Sequence, residues 1–146
     1  MHTQWRDGGE WKKEKLPLTT PSDEACKMYD AVVTQYVGWY DEPSVGGIEH
    51  SVDKMIAADP DFVMGNVLKN GLDLLGTGKT VTLDPDFKLD IEKLRELCQK
   101  RNISNREKLH ADAITQFAQG SVRRYFGALL LRTSVFWSIT FKNIII

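Results

Sequence analysis

The sequence predicts an all-α protein of antiparallel helix pairs, and three observations carry that expectation. Apolar residues recur at three- and four-residue spacing from residue 22 to residue 119, the period that lines one face of a helix at about 100° per residue. Helix-start chemistry (Thr20-Pro21, Asp59-Pro60, Pro85, Ser104) and helix stops (Pro43, Gly76, Asn102, Gly120) punctuate the same region at intervals of one helix. No run of alternating apolar and polar residues long enough for a convincing strand precedes residue 125. The expected organisation is an extended segment over 1–20, a body of about five helices over 21–122, and an apolar tail over 123–146.

Thr20, Pro21 and Asp23 announce the first helix as hydroxyl cap, first-turn proline and acid at the positive end of the dipole. Ala25, Tyr29, Val32, Val33, Tyr36 and Tyr40 form its stripe, and Asp41, Glu42 and Pro43 stop it. A second helix runs from about Val45 to Ala58 with Ile48, Val52, Met55 and Ile56 inward, its first turn weakened by Gly46 and Gly47. Asp59, Pro60 and Asp61 begin the third, where Val63, Met64, Val67, Leu68, Gly71, Leu72, Leu74 and Leu75 cover more than half of the circumference, and Gly76 ends it. Asn66, Lys69, Asn70 and Asp73 make up its remaining polar strip. Pro85 opens the fourth, with Phe87, Ile91, Leu94, Leu97 and Cys98 inward, Lys100 and Arg101 at the negative end and Asn102 as a left-handed terminator. Ser104 and Glu107 form a capping box for the fifth, whose buried face is Leu109, His110, Ala113, Ile114 and Phe117, with Gly120 after it. The pairing expected is one with two and three with four, leaving the fifth without a partner. Paired starts near 21, 60 and 104 give a loose repeat of about 40 residues, longer than the 34 of a regular tetratricopeptide array.

Charge and cysteine usage narrow the function classes. The chain carries 19 basic and 20 acidic residues for a net charge of −1, so as a whole it offers no strong field to draw in nucleic acid or an anionic membrane. Two distant cysteines, Cys26 and Cys98, and an opening without a charged-then-apolar leader argue for a reducing, cytoplasmic setting and against a disulfide framework. The last 22 residues, Tyr125 to Ile146, hold 14 apolar side chains and two charges, Arg132 and Lys142; without those two, 17 basic residues face 20 acidic ones.

Four stretches, WKKEKLPLTTPSDEACKMYDAVVTQYVGW, GGIEHSVDKMIAADPDFVMG, GLDLLGTGKTVTLD and NREKLHADAITQFAQG, resemble in order and spacing the N-terminal region of the tetratricopeptide repeat protein 38 family, over roughly residues 11 to 122. The resemblance implies an α-solenoid fragment of divergent tetratricopeptide-like pairs and a cytosolic scaffold, and brings no catalytic residues. It also implies a longer chain that continues into further helices, whereas RYFGALLLRTSVFWSITFKNIII departs from the family pattern. The tail then reads either as an exposed extension of a truncated or alternative product without separate function, or as a tail anchor. Twenty-two residues could span about 30 Å as a helix, but Arg132 inside such a span costs about 2.5–3.5 kcal/mol.

Candidate chemistry is sparse. Gly76 to Thr80, GTGKT, ends like a phosphate loop, yet Asp73 stands where the loop's first glycine belongs, and the segment follows a helix rather than a strand, so it reads as a helix end and turn. His110 lies in an apolar stripe with no second ligand three or four residues away and reads as a core histidine, not a metal ligand. His50 beside Glu49 reads as solvated, and Cys26 and Cys98 read as small hydrophobes rather than nucleophiles. The strip Asn66, Lys69, Asn70 and Asp73 is either an ordinary solvated face or, if its helix lines the concave side of a repeat, a seat for a peptide backbone or carboxylate. The expectation is therefore a non-enzymatic module with a protein or peptide partner, no cofactor, no metal and no nucleic acid, and with a membrane reached only through residues 125–146.

Overall fold

A computed structural model describes residues 4–77 and 79–120, which form six α-helices and no strand. The tail expected over 123–146, and with it the choice between anchor and extension, lies outside the described residues. Among the described residues no helix is long and apolar enough to cross a membrane.

The first helix, α1 (Gly8–Lys13), falls in the segment expected to be extended. Its start is a capping box built on an acid: Asp7 accepts from the Glu10 amide at 2.9 Å and the Glu10 carboxylate accepts from the Asp7 amide at 3.3 Å. Six residues are too few to show a helical period, which is why periodicity passes over it. It buries Trp11, whose ring meets Tyr29 edge-on at 5.6 Å.

Helix α2 (Asp23–Gly38) starts two residues later than Thr20-Pro21 suggests, because Ser22 is the cap and accepts from the Ala25 amide at 3.1 Å. The Thr20 hydroxyl is engaged elsewhere, donating to Asp59 at 2.6 Å. A single 3₁₀ turn, Pro43–Val45, precedes α3 (Gly47–Ala58), so the expected start at Val45 moves to the second glycine, with Gly46 as the cap. Gly46 and Gly47 have φ of +82° and +84°, and that left-handed pair redirects the chain from the 3₁₀ turn into the helix. A side chain at Gly46 would also meet the His50 ring at 2.7 Å.

Helix α4 (Val63–Gly76) follows a turn in which Asp59 accepts from the Asp61 amide at 3.0 Å. Helix α5 (Pro85–Lys100) is capped by Asp84 through the Phe87 amide at 2.9 Å; its end is Arg101 in an extended conformation, in place of a left-handed Asn102. Helix α6 (Asn105–Ala118) has the Ser104–Glu107 capping box the sequence announces, followed by Gly120 at φ +75°.

The helices pack through two larger interiors and a smaller third, in which Phe87 and Ile91 of α5 meet Ala118 of α6. Ala25, Met28, Ala31, Val45, Met55, Phe62 and Met64 join α2, α3 and the start of α4. Val63, Val67, Leu94, Leu97, Ile103 and Ala111 join α4, α5 and α6. Helix α4 contributes to both and so lies at the centre, in contact with α2, α3, α5 and α6. Helix α6 turns Glu107, Ala111, Thr115 and Ala118 inward, while Leu109, His110, Ala113, Ile114 and Phe117 are only partly covered. The buried face is thus rotated from the expected one, because α6 sits in the angle between α4 and α5.

Polar ties join the N-terminal segment to elements far along the chain. The Arg6 amide, Nε and Nη2 donate to the buried Asp30 carboxylate at 3.0, 2.8 and 2.5 Å, and Nη1 donates to Glu14 at 2.7 Å. The same guanidinium lies 4.0 Å above the Trp11 ring. Glu107, wholly buried, accepts from the Thr19 amide at 2.8 Å and hydroxyl at 2.6 Å, and from the Ser104 amide at 2.9 Å and hydroxyl at 2.8 Å.

Candidate functional site

Asn66, Lys69, Asn70 and Asp73 do share one side of α4, as their spacing requires, but that side is not an open face. Asn66 and Asn70 are only 6% and 1% exposed. Asn66 Nδ2 donates to the carbonyls of Pro60 at 3.1 Å and Phe62 at 2.9 Å, bracing the turn that enters the helix. Lys69 is paired with Asp90 of α5 and lies 3.9 Å from Asp73, which also faces Lys79 at 3.6 Å. Neighbours on several sides of α4 leave little of its circumference to solvent, so the expected strip resolves into two buried amides and an ion-paired edge. Only the last turn escapes, and there Leu75, expected inside, is 62% exposed.

The remaining sequence candidates are held in unreactive states. Gly76 closes α4, and Thr77 caps it by hydroxyl and amide bonds to the Asp73 carbonyl at 2.7 and 3.1 Å. The ion pair between Lys79 and Asp73 belongs to the same helix end. Burial, reinforced by the positive charge of Arg106, lowers His110 to about 4, so the imidazole is neutral at pH 7. Burial and nearby Asp23 push the Cys26 thiol up to about 11; burial and Asp112 raise Cys98 as well. Both are free thiols kept protonated, the opposite of what a nucleophile needs. Cys98 lines an open groove of about 410 Å³ between α5 and α6 with Arg95, Gln99, Lys108, Asp112 and Thr115. Among the described residues no group of three or more histidine, cysteine or acidic side chains is placed to hold a metal ion.

What sequence reasoning missed lies at the end of the α2–α3 hairpin. The buried Gln35 organises it: Nε2 donates to the Ala31 carbonyl at 3.2 Å and the Ser51 hydroxyl at 3.1 Å, and Oε1 accepts from the Glu42 amide at 2.8 Å. Asp41 accepts from the Ile48 amide at 3.0 Å, capping the first turn of α3. With Gln35 and Val45 filling the interior here, the rings assigned to the core stripe stay outside: Tyr36 and Tyr40 are exposed, and Trp39 is 89% exposed. Trp39 stands in the left-handed region at φ 53°, the C-cap position where glycine is usual, and its amide bonds the Gln35 carbonyl. Its ring stacks on Tyr36 at 6.3 Å between centroids and 25° between planes. Gly38 lets the Tyr40 ring lie close beside it, since a Cβ there would meet that ring at 2.7 Å and displace it. The sequence signal was a tryptophan directly after a helix-ending glycine and before Asp41-Glu42-Pro43, where a side chain leaves the helical stripe.

Exposed Trp and Tyr side chains held on a rigid turn are what binding surfaces are made of, and this cluster is the most exposed aromatic group among the described residues. No protein-family model matches the chain, and no solved structure matches it.

Proposed function

We propose that this chain is a divergent tetratricopeptide-like helical-repeat segment, related to the N-terminal region of the tetratricopeptide repeat protein 38 family, that works in the cytoplasm as a protein-interaction module and not as an enzyme. One observation carries the interaction reading: Trp39 is 89% exposed, stacked on Tyr36 and set in a left-handed cap whose amide bonds the carbonyl of the buried Gln35. An isolated surface tryptophan needs no explanation, but one held in backbone geometry that costs about 1–2 kcal/mol is being presented. The paired helices α2 and α3 and the centrally packed α4 support the repeat reading, and the two free thiols support a reducing setting. On this reading the partner seat is Tyr36, Trp39 and Tyr40 instead of the strip Asn66, Lys69, Asn70 and Asp73, whose amides are buried.

The test is site-specific photo-crosslinking in cells, with a photoreactive phenylalanine in place of Tyr36, of Tyr40, or of the more exposed Leu89 on α5. A discrete protein adduct from positions 36 and 40 that is absent at 89, and that disappears with Trp39→Gly, is expected. Equal labelling at all three positions would end the assignment.

A further inference from the structure

The stretch between α1 and α2 is held to the body of the protein as a bound peptide is held to a receptor. Residues 16–20 have no regular secondary structure. Arg106 Nη2 donates to the carbonyls of Leu16 and Pro17 at 3.4 and 2.7 Å, Glu107 accepts from the Thr19 amide and hydroxyl, and Asp59 accepts from the Thr20 hydroxyl. Leu18 packs on the interior that Met28, Met55 and Phe62 share, while Pro17 and Pro21 face solvent. Each of these consecutive residues is therefore held either by a side chain of α6 or of the turn after α3, or by its own apolar anchor.

The groups that do this are placed by their own elements and not by the segment they hold. Glu107 is the third residue of α6 and receives two bonds from Ser104 in the capping box of that helix. Asp59 accepts from the Asp61 amide at 3.0 Å and has Arg101 3.9 Å away. Arg106 stands next to Glu107 in the first turn of α6. A seat assembled in this way is preorganised, so a segment that enters it does not have to build it.

The seat also selects chemistry. Leu16 and Pro17 are recognised through main-chain carbonyls, which any residue supplies. The next position takes an apolar side chain, and the two after it take hydroxyls that donate to buried carboxylates. An acidic side chain at either of the last two positions would meet Glu107 or Asp59 and be repelled.

From this geometry we infer that the surface formed by Asp59, Arg106 and Glu107 is a peptide-binding seat kept closed by the chain's own residues 16–20, and that its occupant in trans is a non-helical segment of another protein in which an apolar residue precedes two hydroxyl residues. It adds a second surface to the interaction module proposed above and stands or falls separately from the aromatic one at Trp39. The tether sets the threshold. A segment joined in cis competes at an effective concentration in the millimolar range, so a partner enters when the chain's own copy is loosened or outnumbered.

The experiment titrates the full chain with a labelled peptide of its own residues 14–22, EKLPLTTPS, and with a counterpart carrying valine at both threonine positions, followed by fluorescence anisotropy. Thr19→Val with Thr20→Val loosens the chain's own segment at nearly constant side-chain shape, and circular dichroism checks that the helices remain. EKLPLTTPS should bind this variant at least about tenfold more tightly than the unsubstituted chain, since two hydroxyl bonds no longer hold the competitor. The valine peptide should bind the variant at least about tenfold more weakly than EKLPLTTPS, and adding Arg106→Gln should weaken EKLPLTTPS several-fold. In the unsubstituted chain, where folding is not in question, excess EKLPLTTPS should speed amide exchange at Thr19 as the chain's own segment is displaced. Equal binding to both chains, equal binding of both peptides, or Thr19 exchange indifferent to the peptide would each overturn the inference. A dimer of the unsubstituted chain that the peptide dissociates would overturn it too, by making a second copy the occupant. Labelling from positions 36 and 40 tests the aromatic surface alone, so the two assignments fail independently.

Discussion

Replacing Glu107 with alanine is expected to be among the most destabilising single changes in the described body. The carboxylate is wholly buried and accepts four hydrogen bonds, two from Thr19 and two from Ser104. Alanine removes the acceptor and leaves the amides of Thr19 and Ser104 without it; an orphaned buried donor costs about 1–3 kcal/mol. Loss of half of a capping box adds about 1 kcal/mol. The hydroxyls can turn toward other acceptors, so the total comes to about 3–5 kcal/mol, a large share of the roughly 5–15 kcal/mol typical of a whole domain. Urea unfolding followed by circular dichroism reads this directly as a lower midpoint at unchanged slope. Thr19→Val, which removes only one hydroxyl donor, should cost about 1 kcal/mol, and the double variant should cost less than the sum, because the two residues share the bond. A Glu107→Ala penalty under about 1 kcal/mol, or additive costs, would refute the idea that this carboxylate ties the N-terminal segment to α6.

Trp39→Gly should leave stability within about 0.5 kcal/mol, since relief at φ 53° offsets the greater freedom of glycine in the unfolded chain, whereas Trp11→Ala in the interior should cost about 3–5 kcal/mol; thermal melts of the two variants compare them. His110, lowered to about 4 in the fold against about 6.5 when unfolded, makes the unfolded state the better proton binder between those values, so its contribution is complete above pH 6.5 and declines as pH falls toward 4. That contribution is on the order of 2–3 kcal/mol; an imidazole proton resonance that titrates near 6.5 in the native protein would contradict it. Arg6→Ala leaves Asp30, only 1% exposed, without its guanidinium and should cost about 3–5 kcal/mol, whereas Arg6→Met with Asp30→Leu should recover much of that loss in chemical denaturation.

The helices from α2 onward were legible because each combines a period with start and stop chemistry, and in α5 the stripe Phe87, Ile91, Leu94 and Leu97 is the buried face. Burial was less legible. Periodicity says which residues share a side of a helix, not how many sides have neighbours, so Asn66 and Asn70 read as surface although α4 is enclosed. Tyr36 and Tyr40 continue the spacing of the α2 stripe, yet the hairpin interior at their level is already filled by Gln35 and Val45. Glu107 was visible as a local cap, but nothing in its surroundings along the chain reveals that it also receives Thr19, 88 residues earlier. Long-range polar ties of this kind leave no periodic trace.

That separation also orders events during synthesis. At a ribosomal rate of about 5–20 residues per second, the 88 residues between Thr19 and Glu107 take roughly 4–18 s to make. For that interval the emerging N-terminal segment has lost the ribosome's shelter and has not yet met its acceptor. Helices α2 to α5 can pair as they appear, and Arg6 and Thr20 can meet Asp30 and Asp59 early, but Leu16, Pro17 and Thr19 wait for Arg106 and Glu107 of the last described helix to be translated. An accessory factor that engages nascent chains would find Leu16 to Thr19 without their α6 partners throughout that interval.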